Sequence, residues 1–233
     1  MLTPTDLAYL EIPPREQDRP TPPLLILLHG VGSNEQDLIS LAPLLDPRFH
    51  IVSLRAPYVL GPGSYAWFHV LFTPQGPRHD AREAEVSREL LIDTIPGLVA
   101  ATGTDPEQVY LMGFSQGAIM SLYLGLTLPE LVAGVVAMSG RVIPEAIERL
   151  ATPRELAGLP VLVIHGTADA VLPIDHGRAT REALAGLPID FTYREYPMGH
   201  EVSPESLADI VAWLGARLDA PTDEATETEP TTE

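Results

Sequence analysis

The sequence predicts a three-layer α/β fold built on a mostly parallel sheet, and three observations carry that prediction. Residues 24–28, 108–112, 131–138 and 160–164 are short, almost uninterrupted apolar runs, as strands covered on both faces must be. Between them lie stretches whose apolar residues recur at helical spacing. Finally, the residues able to do chemistry gather just past the strands: His29-Gly30, Ser115, His165 to Asp169, and His200. Sheets of this class bind ligands beyond the carboxyl ends of their strands.

Taken in order, residues 7–12 can make a leading strand, and a proline-rich turn through Pro13, Pro14, Pro20, Pro22 and Pro23 follows. After the strand 24–28 comes His29-Gly-Val-Gly-Ser-Asn34, then a helix over 35–45 and a strand over 49–54. Residues 55–79 are rich in Gly, Pro and aromatics. They read as a loop too long to be a mere connection. A helix is expected over 82–101, with Pro96 kinking it. Later helices fall at 144–150, 175–185 and 204–218, alternating with strands that include 189–196. No internal repeat is visible.

Composition narrows the chemistry before any motif is considered. With 233 residues and 45% hydrophobic content, the chain reads most simply as one folded domain over 1–218. Residues 219–233, DAPTDEATETEPTTE, bear no basic and few apolar side chains, and are expected to form a disordered acidic tail. All 14 basic residues are arginine, which excludes Ser-Lys dyads and Schiff-base chemistry. The absence of cysteine excludes thiolate catalysis, disulfides and Cys-based metal sites. A net charge of -18 argues against nucleic acid and anionic membrane as partners. No apolar run approaches the ~20 residues a membrane span needs, and no basic-then-apolar leader opens the chain. A cytoplasmic protein is the expectation.

The central motif is Gly113-Phe-Ser-Gln-Gly117, set between an expected strand and an expected helix. That context makes Gly-x-Ser-x-Gly a nucleophile elbow, a turn so sharp that the serine adopts a rare backbone conformation and its flanking glycines are needed for close approach. A chain of this length shows the bare pattern by accident roughly one time in ten, so partners must be found. Serine needs a base to take its proton, and the base needs an acid to fix its tautomer. Of seven histidines, His200 follows the last strand after Met198-Gly199. His29, His50, His69 and His79 precede the serine, His165 lies at a strand end with the wrong company, and His176 reads as a capping or surface residue. Asp169, in a Gly-Thr-Ala-Asp turn past the strand 160–164, is the candidate acid, with Asp175 in reserve. Ser115, Asp169 and His200 then follow the chain order Ser…Asp…His, each at a separate strand terminus. The N–H groups of Gln116 and Val31 are the candidate oxyanion donors, with His29 orienting the Val31 loop through hydrogen bonds.

Across 24–218 the segments LLILLHGVGSNEQDL, SLRAPY, YAWF, GFSQGAIMSLYL, MSGR, VLVIHGTADAVLP and YPMGHEVSPE resemble the carboxylesterase/phospholipase family of the α/β-hydrolases, which includes the acyl-protein thioesterases. The resemblance implies a sheet of about seven strands and a Ser115/Asp169/His200 triad with an oxyanion hole at Val31 and Gln116. It further implies hydrolysis of short- to medium-chain esters, thioesters or lysophospholipids without cofactor or metal, often by a homodimer. Val31, Trp67, Phe68, Leu71 and Leu172 are the candidate walls of an acyl pocket. Two other readings stay open: a serine peptidase on the same triad, separable by an amide substrate, and a non-catalytic binding module, separable by fluorophosphonate labelling.

Overall fold

The computed structural model describes residues 7–17, 19–73 and 76–220. Eleven named strands and five α-helices occur among them, and seven of the strands form one sheet in the order β1-β3-β2-β8-β9-β10-β11. These seven are β1 (Tyr9–Ile12), β2 (Leu24–Leu28), β3 (His50–Leu54), β8 (Val109–Phe114), β9 (Gly134–Met138), β10 (Pro160–Gly166) and β11 (Asp190–Tyr196). Only β1 runs antiparallel, paired with β3; every other pairing is parallel.

Side chains alternate across the sheet with a period of two, so each apolar run feeds both layers. Leu24, Ile26 and Leu28 of β2 join Val109 and Leu111 of β8 in one core, under the helices α1 (Ala81–Thr102) and α2 (Gln116–Thr127). Leu25, Leu27, Tyr110 and Met112 point the other way, into a second core closed by α5 (Pro204–Leu218) and a 3-10 segment at Leu38–Leu44. Central strands with no wet face have no reason to alternate polar and apolar residues, and these do not. Helix α2 is buried along nearly its whole length, which explains its almost entirely apolar sequence.

Helix ends follow local chemistry. Asp80 caps α1 by accepting from the N–H groups of Arg82 and Glu83, and Gly103 ends it at φ 64°. Ser203 caps α5 directly ahead of Pro204. The two shorter helices are α3 (Pro144–Glu148) and α4 (Ile174–Leu184).

Two expectations need correction. Residues 35–45 do not form an α-helix: only the 3-10 segment Leu38–Leu44 is present, because Pro43 lacks the N–H a longer α-helix would use there. The stretch 55–79 is not an irregular loop but two hairpins, β4 (Tyr58–Gly61) with β5 (Ser64–Ala66), and β6 (Val70–Thr73) with β7 (Gly76–His79). The first hairpin braces the Val31 loop: the Gly32 N–H donates to the Tyr65 carbonyl at 2.8 Å and the Tyr65 N–H to the Ser33 carbonyl at 2.9 Å. The expected tail lies outside the described residues from position 221 onward. Its first residue, Asp219, is tied back, accepting from Arg48 Nη1 at 2.6 Å. No helix among the described residues is long and apolar enough to cross a membrane.

Candidate active site

The site begins with a strained turn. Where β8 meets α2, Ser115 sits at φ 53°, ψ -114°, a region that costs a non-glycine residue of order 1–3 kcal/mol. Both flanking glycines are required by contact. A Cβ on Gly113 would lie 2.3 Å from the Gly117 carbonyl, and one on Gly117 would lie 1.9 Å from the Leu28 oxygen of β2. The turn is further held by the Ser115 N–H, which donates to the Met138 carbonyl of β9 at 2.8 Å.

Packing brings the three remote side chains into one line. His200 Nε2 lies 2.9 Å from Ser115 Oγ, and His200 Nδ1 lies 2.7 Å from Asp169 Oδ2. In that arrangement the hydroxyl donates to Nε2 and the Nδ1–H donates to the carboxylate. The second oxygen, Asp169 Oδ1, accepts from the N–H groups of Val171 and Leu172 at 2.9 and 2.8 Å. Burial alone would raise the Asp169 pKa, but the bonds from His200, Leu172 and Val171 hold it below the usual carboxylate value. The Phe114 ring packs on the imidazole with centroids 4.9 Å apart. Asp175, the reserve acid, is exposed on the first turn of α4. Three of the earlier histidines are committed to carboxylates: His50 to Glu11, His69 to Glu83 and His79 to Glu145.

The candidate oxyanion donors come from two sides. The Gln116 N–H is the first of α2 and has no acceptor within its own helix. Val31 follows Gly30, whose Cβ position lies 3.3 Å from Ser115 Cβ, so the loop rests directly on the elbow. His29 supports that loop. Its Nδ1 lies 2.7 Å from the Gly30 carbonyl, and its Nε2 accepts from the Ala56 N–H at 3.1 Å. One ring nitrogen therefore donates and the other accepts. Burial lowers its pKa and keeps the ring neutral.

Trp67 and Phe68, two candidate pocket walls, have no surface to offer: they are 0% and 2% exposed. Their role is structural. The Trp67 Nε1–H donates to the His29 carbonyl at 3.0 Å and its own carbonyl accepts from Ser87 Oγ. Val31 and Leu71 are exposed and Leu172 is half-buried. Leu71 lies on the outer hairpin, while Leu172 sits beside the acid, whose Oδ1 its N–H holds.

The sequence reading missed the Gln116 side chain. Its Oε1 accepts from the Trp67 N–H at 2.6 Å and its Nε2–H donates to the Phe68 carbonyl at 2.7 Å. A polar residue opening a helix otherwise buried and largely apolar was the available signal. His165, set aside as a base in the sequence, lies wholly buried beneath the acid, with Nε2 2.7 Å from the Leu172 carbonyl and 3.6 Å from Asp169 Oδ2. A cleft of about 230 Å³ opens beside the imidazole, lined by Asp37, Leu38, Leu41, Phe114, His200 and Glu201 among others. Among the described residues no group of three or more His, Asp or Glu could hold a metal ion.

Residues 12–217 match the family model described as Phospholipase/Carboxylesterase. Acyl-protein thioesterase 1 of Mycosarcoma maydis is 32% identical over 237 residues, 89% of this chain and 96% of that one. The acyl-protein thioesterase 1 of Gibberella zeae is 34% identical, but the match spans about half of each chain, 50% of this and 51% of that. Among solved structures, esterase PE8 superposes with a TM-score of 0.78 at 31% identity, covering 90% of this chain and 98% of that one. The chain therefore belongs to the phospholipase/carboxylesterase family and has its α/β-hydrolase fold.

Proposed function

We propose that this carboxylic ester hydrolase works through a covalent acyl-enzyme on Ser115, with His200 as general base and then acid, and Asp169 as the group that orients it. One observation carries the reading: an unbroken hydrogen-bond chain from Ser115 Oγ through His200 to Asp169 at the tip of the strained turn. In the first step Ser115 Oγ attacks the acyl carbonyl and its proton passes to His200 Nε2. The resulting oxyanion lies against the N–H groups of Gln116 and Val31. His200 gives the proton to the departing alcohol or thiol, and the acyl-enzyme is hydrolysed by a water that His200 deprotonates. The Asp169 carboxylate steadies the imidazolium at both stages.

Relatives named as thioesterases and esterases support short- to medium-chain esters or thioesters as substrates, and lysophospholipids belong to the same proposal. No cofactor enters these steps. The proposal extends to a single catalytic domain over 1–218 with an acidic tail, on composition, and to a cytoplasmic homodimer, on the sequence reading and the family resemblance. Light scattering of the purified chain tests the dimer. A fluorophosphonate probe read by intact mass tests the chemistry. The wild-type chain should gain one adduct, located on Ser115 by peptide mapping, and Ser115→Ala should gain none. Labelling undiminished in Ser115→Ala would move the nucleophile elsewhere.

A further inference from the structure

Arg141 is set apart from the other arginines by lying half-buried without a partner. Arg48, Arg55, Arg88, Arg149, Arg178, Arg194 and Arg217 each hold a carboxylate. Arg15 donates to backbone carbonyls, and Arg181 lies against the Tyr193 ring. Arg78, Arg82 and Arg154 are exposed to water, where a guanidinium needs no protein partner. Arg141 enjoys neither solution: among the described residues it makes no hydrogen bond or ion pair. Burial lowers its pKa, with the charge of Glu145 opposing that shift. Yet the Glu145 carboxylate is already engaged, 2.9 Å from His79 Nε2. A half-buried guanidinium whose fork no protein group fills is open to an anion.

The place where it waits is a cleft of about 340 Å³ between α3 and α4. Val142, Ile143, Ile147 and Ala183 supply apolar lining, and His176 stands at the same opening. Burial and the nearby Arg141 charge lower the His176 pKa, so the guanidinium is the permanent charge there. The residue before Arg141 packs against the nucleophile turn. Arg141 follows Gly140, where a Cβ would lie 3.2 Å from the Ser115 carbonyl oxygen.

The two clefts belong to different layers. The one beside His200 draws on Leu38 and Phe114, which pack with the layer of α5. The one holding Arg141 draws on Ile143, which packs with the layer of α1 and α2. His200 must hand its proton to the departing oxygen, so the leaving group sits on the imidazole side and the acyl chain extends the other way. We propose that Arg141 forms an anion subsite for the far end of the acyl chain, making half-esters of dicarboxylic acids preferred substrates. The inference rests on the serine-esterase reading for the orientation of the ester. The ligand is a carboxylate because one planar guanidinium matches its two oxygens in a bidentate pair.

The test compares monoethyl adipate with ethyl hexanoate, two esters of similar length that differ in the terminal carboxylate, in wild type, Arg141→Gln and Arg141→Lys. Arg141→Gln should lower kcat/KM for the half-ester about 10- to 100-fold more than for ethyl hexanoate, chiefly through KM. Arg141→Lys should recover part of that difference, since it keeps the charge and loses the fork. Ethyl 5-phosphonopentanoate, in which a phosphonate replaces the carboxylate at the end of the same four-methylene chain, should be a poorer substrate than the adipate, and a preference for it would overturn the carboxylate assignment. Equal losses on both esters, or none on either, would overturn the subsite. If wild type cleaves neither ester, the esterase reading fails instead. Calorimetric binding of monoethyl adipate to wild type and to Arg141→Gln then still decides the subsite: tighter binding to wild type supports it and equal binding overturns it.

Discussion

Ser115 and Ser139 stand at the ends of adjacent parallel strands, β8 and β9, and share an unusual backbone. Their φ values are 53° and 49°, the two positive-φ non-glycine residues among those described. Each N–H donates to a carbonyl of the next strand along, Ser115 to Met138 at 2.8 Å and Ser139 to Ile164 at 2.9 Å. Their surroundings differ. Ser115 Oγ meets His200 at the mouth of a cleft. Ser139 Oγ is fully buried and has no hydrogen-bond partner among the described residues. The strained turn is thus a feature of this sheet edge, and strain alone makes no nucleophile. What separates the two serines is an accessible opening and a base supplied by the loop between β11 and α5.

Four experiments sharpen that contrast. The largest effect belongs to Ser115→Ala, expected to lower kcat toward p-nitrophenyl butyrate about a millionfold. A variant that keeps most of its rate would place the chemistry at another serine. Next comes Asp169→Asn, expected to cost about ten-thousandfold in kcat with the fold retained. This substitution also has a pH signature. The Asp169 pKa is held below the ordinary carboxylate value, so its ionised form stabilises the fold above the unfolded-state pKa of about 3.9. That contribution is lost as pH falls through the lower folded-state value. The gap in urea midpoint between wild type and Asp169→Asn should therefore narrow below about pH 4, and a gap that widens there would contradict the assignment.

A smaller effect is expected from Gln116→Ala, which leaves the buried Trp67 N–H and Phe68 carbonyl unsatisfied. It should destabilise by about 1–3 kcal/mol in denaturant titration while sparing the fluorophosphonate adduct on Ser115. The smallest belongs to Ser139→Ala. Removing an orphaned buried hydroxyl should leave stability within about 1 kcal/mol of wild type, or slightly raise it, with kcat/KM essentially unchanged. A large loss of activity there would show that the two turns are not so different after all.

Much of the sheet was legible because strands buried on both faces leave apolar runs of strand length bounded by turn residues. β2 was read at its observed limits, and α5 likewise, since a serine cap, a following proline and a clean apolar stripe bound it. The region 55–79 was not legible. Its hairpins are short and hold their shape through contacts with distant elements: Tyr65 pairs with the Ser33 loop, and His69 and His79 with Glu83 on α1 and Glu145 on α3. A local pattern cannot encode partners so far away. The same limit led Trp67 to be read as a pocket wall, since aromaticity does not reveal which way a ring faces.

By itself, the sequence determined the order of elements, the elbow and the types of residue that stand at the strand ends. Apolar periodicity, proline and glycine chemistry are local properties and can be read locally. Only the tertiary structure decided which of those residues meet. It set His200 against Ser115 and Asp169 across 85 and 31 positions of chain, and it left the Arg141 guanidinium without the carboxylate that other arginines found. Distances between remote side chains follow from how layers pack, and packing is a property of the whole sheet that no single stretch of chain contains.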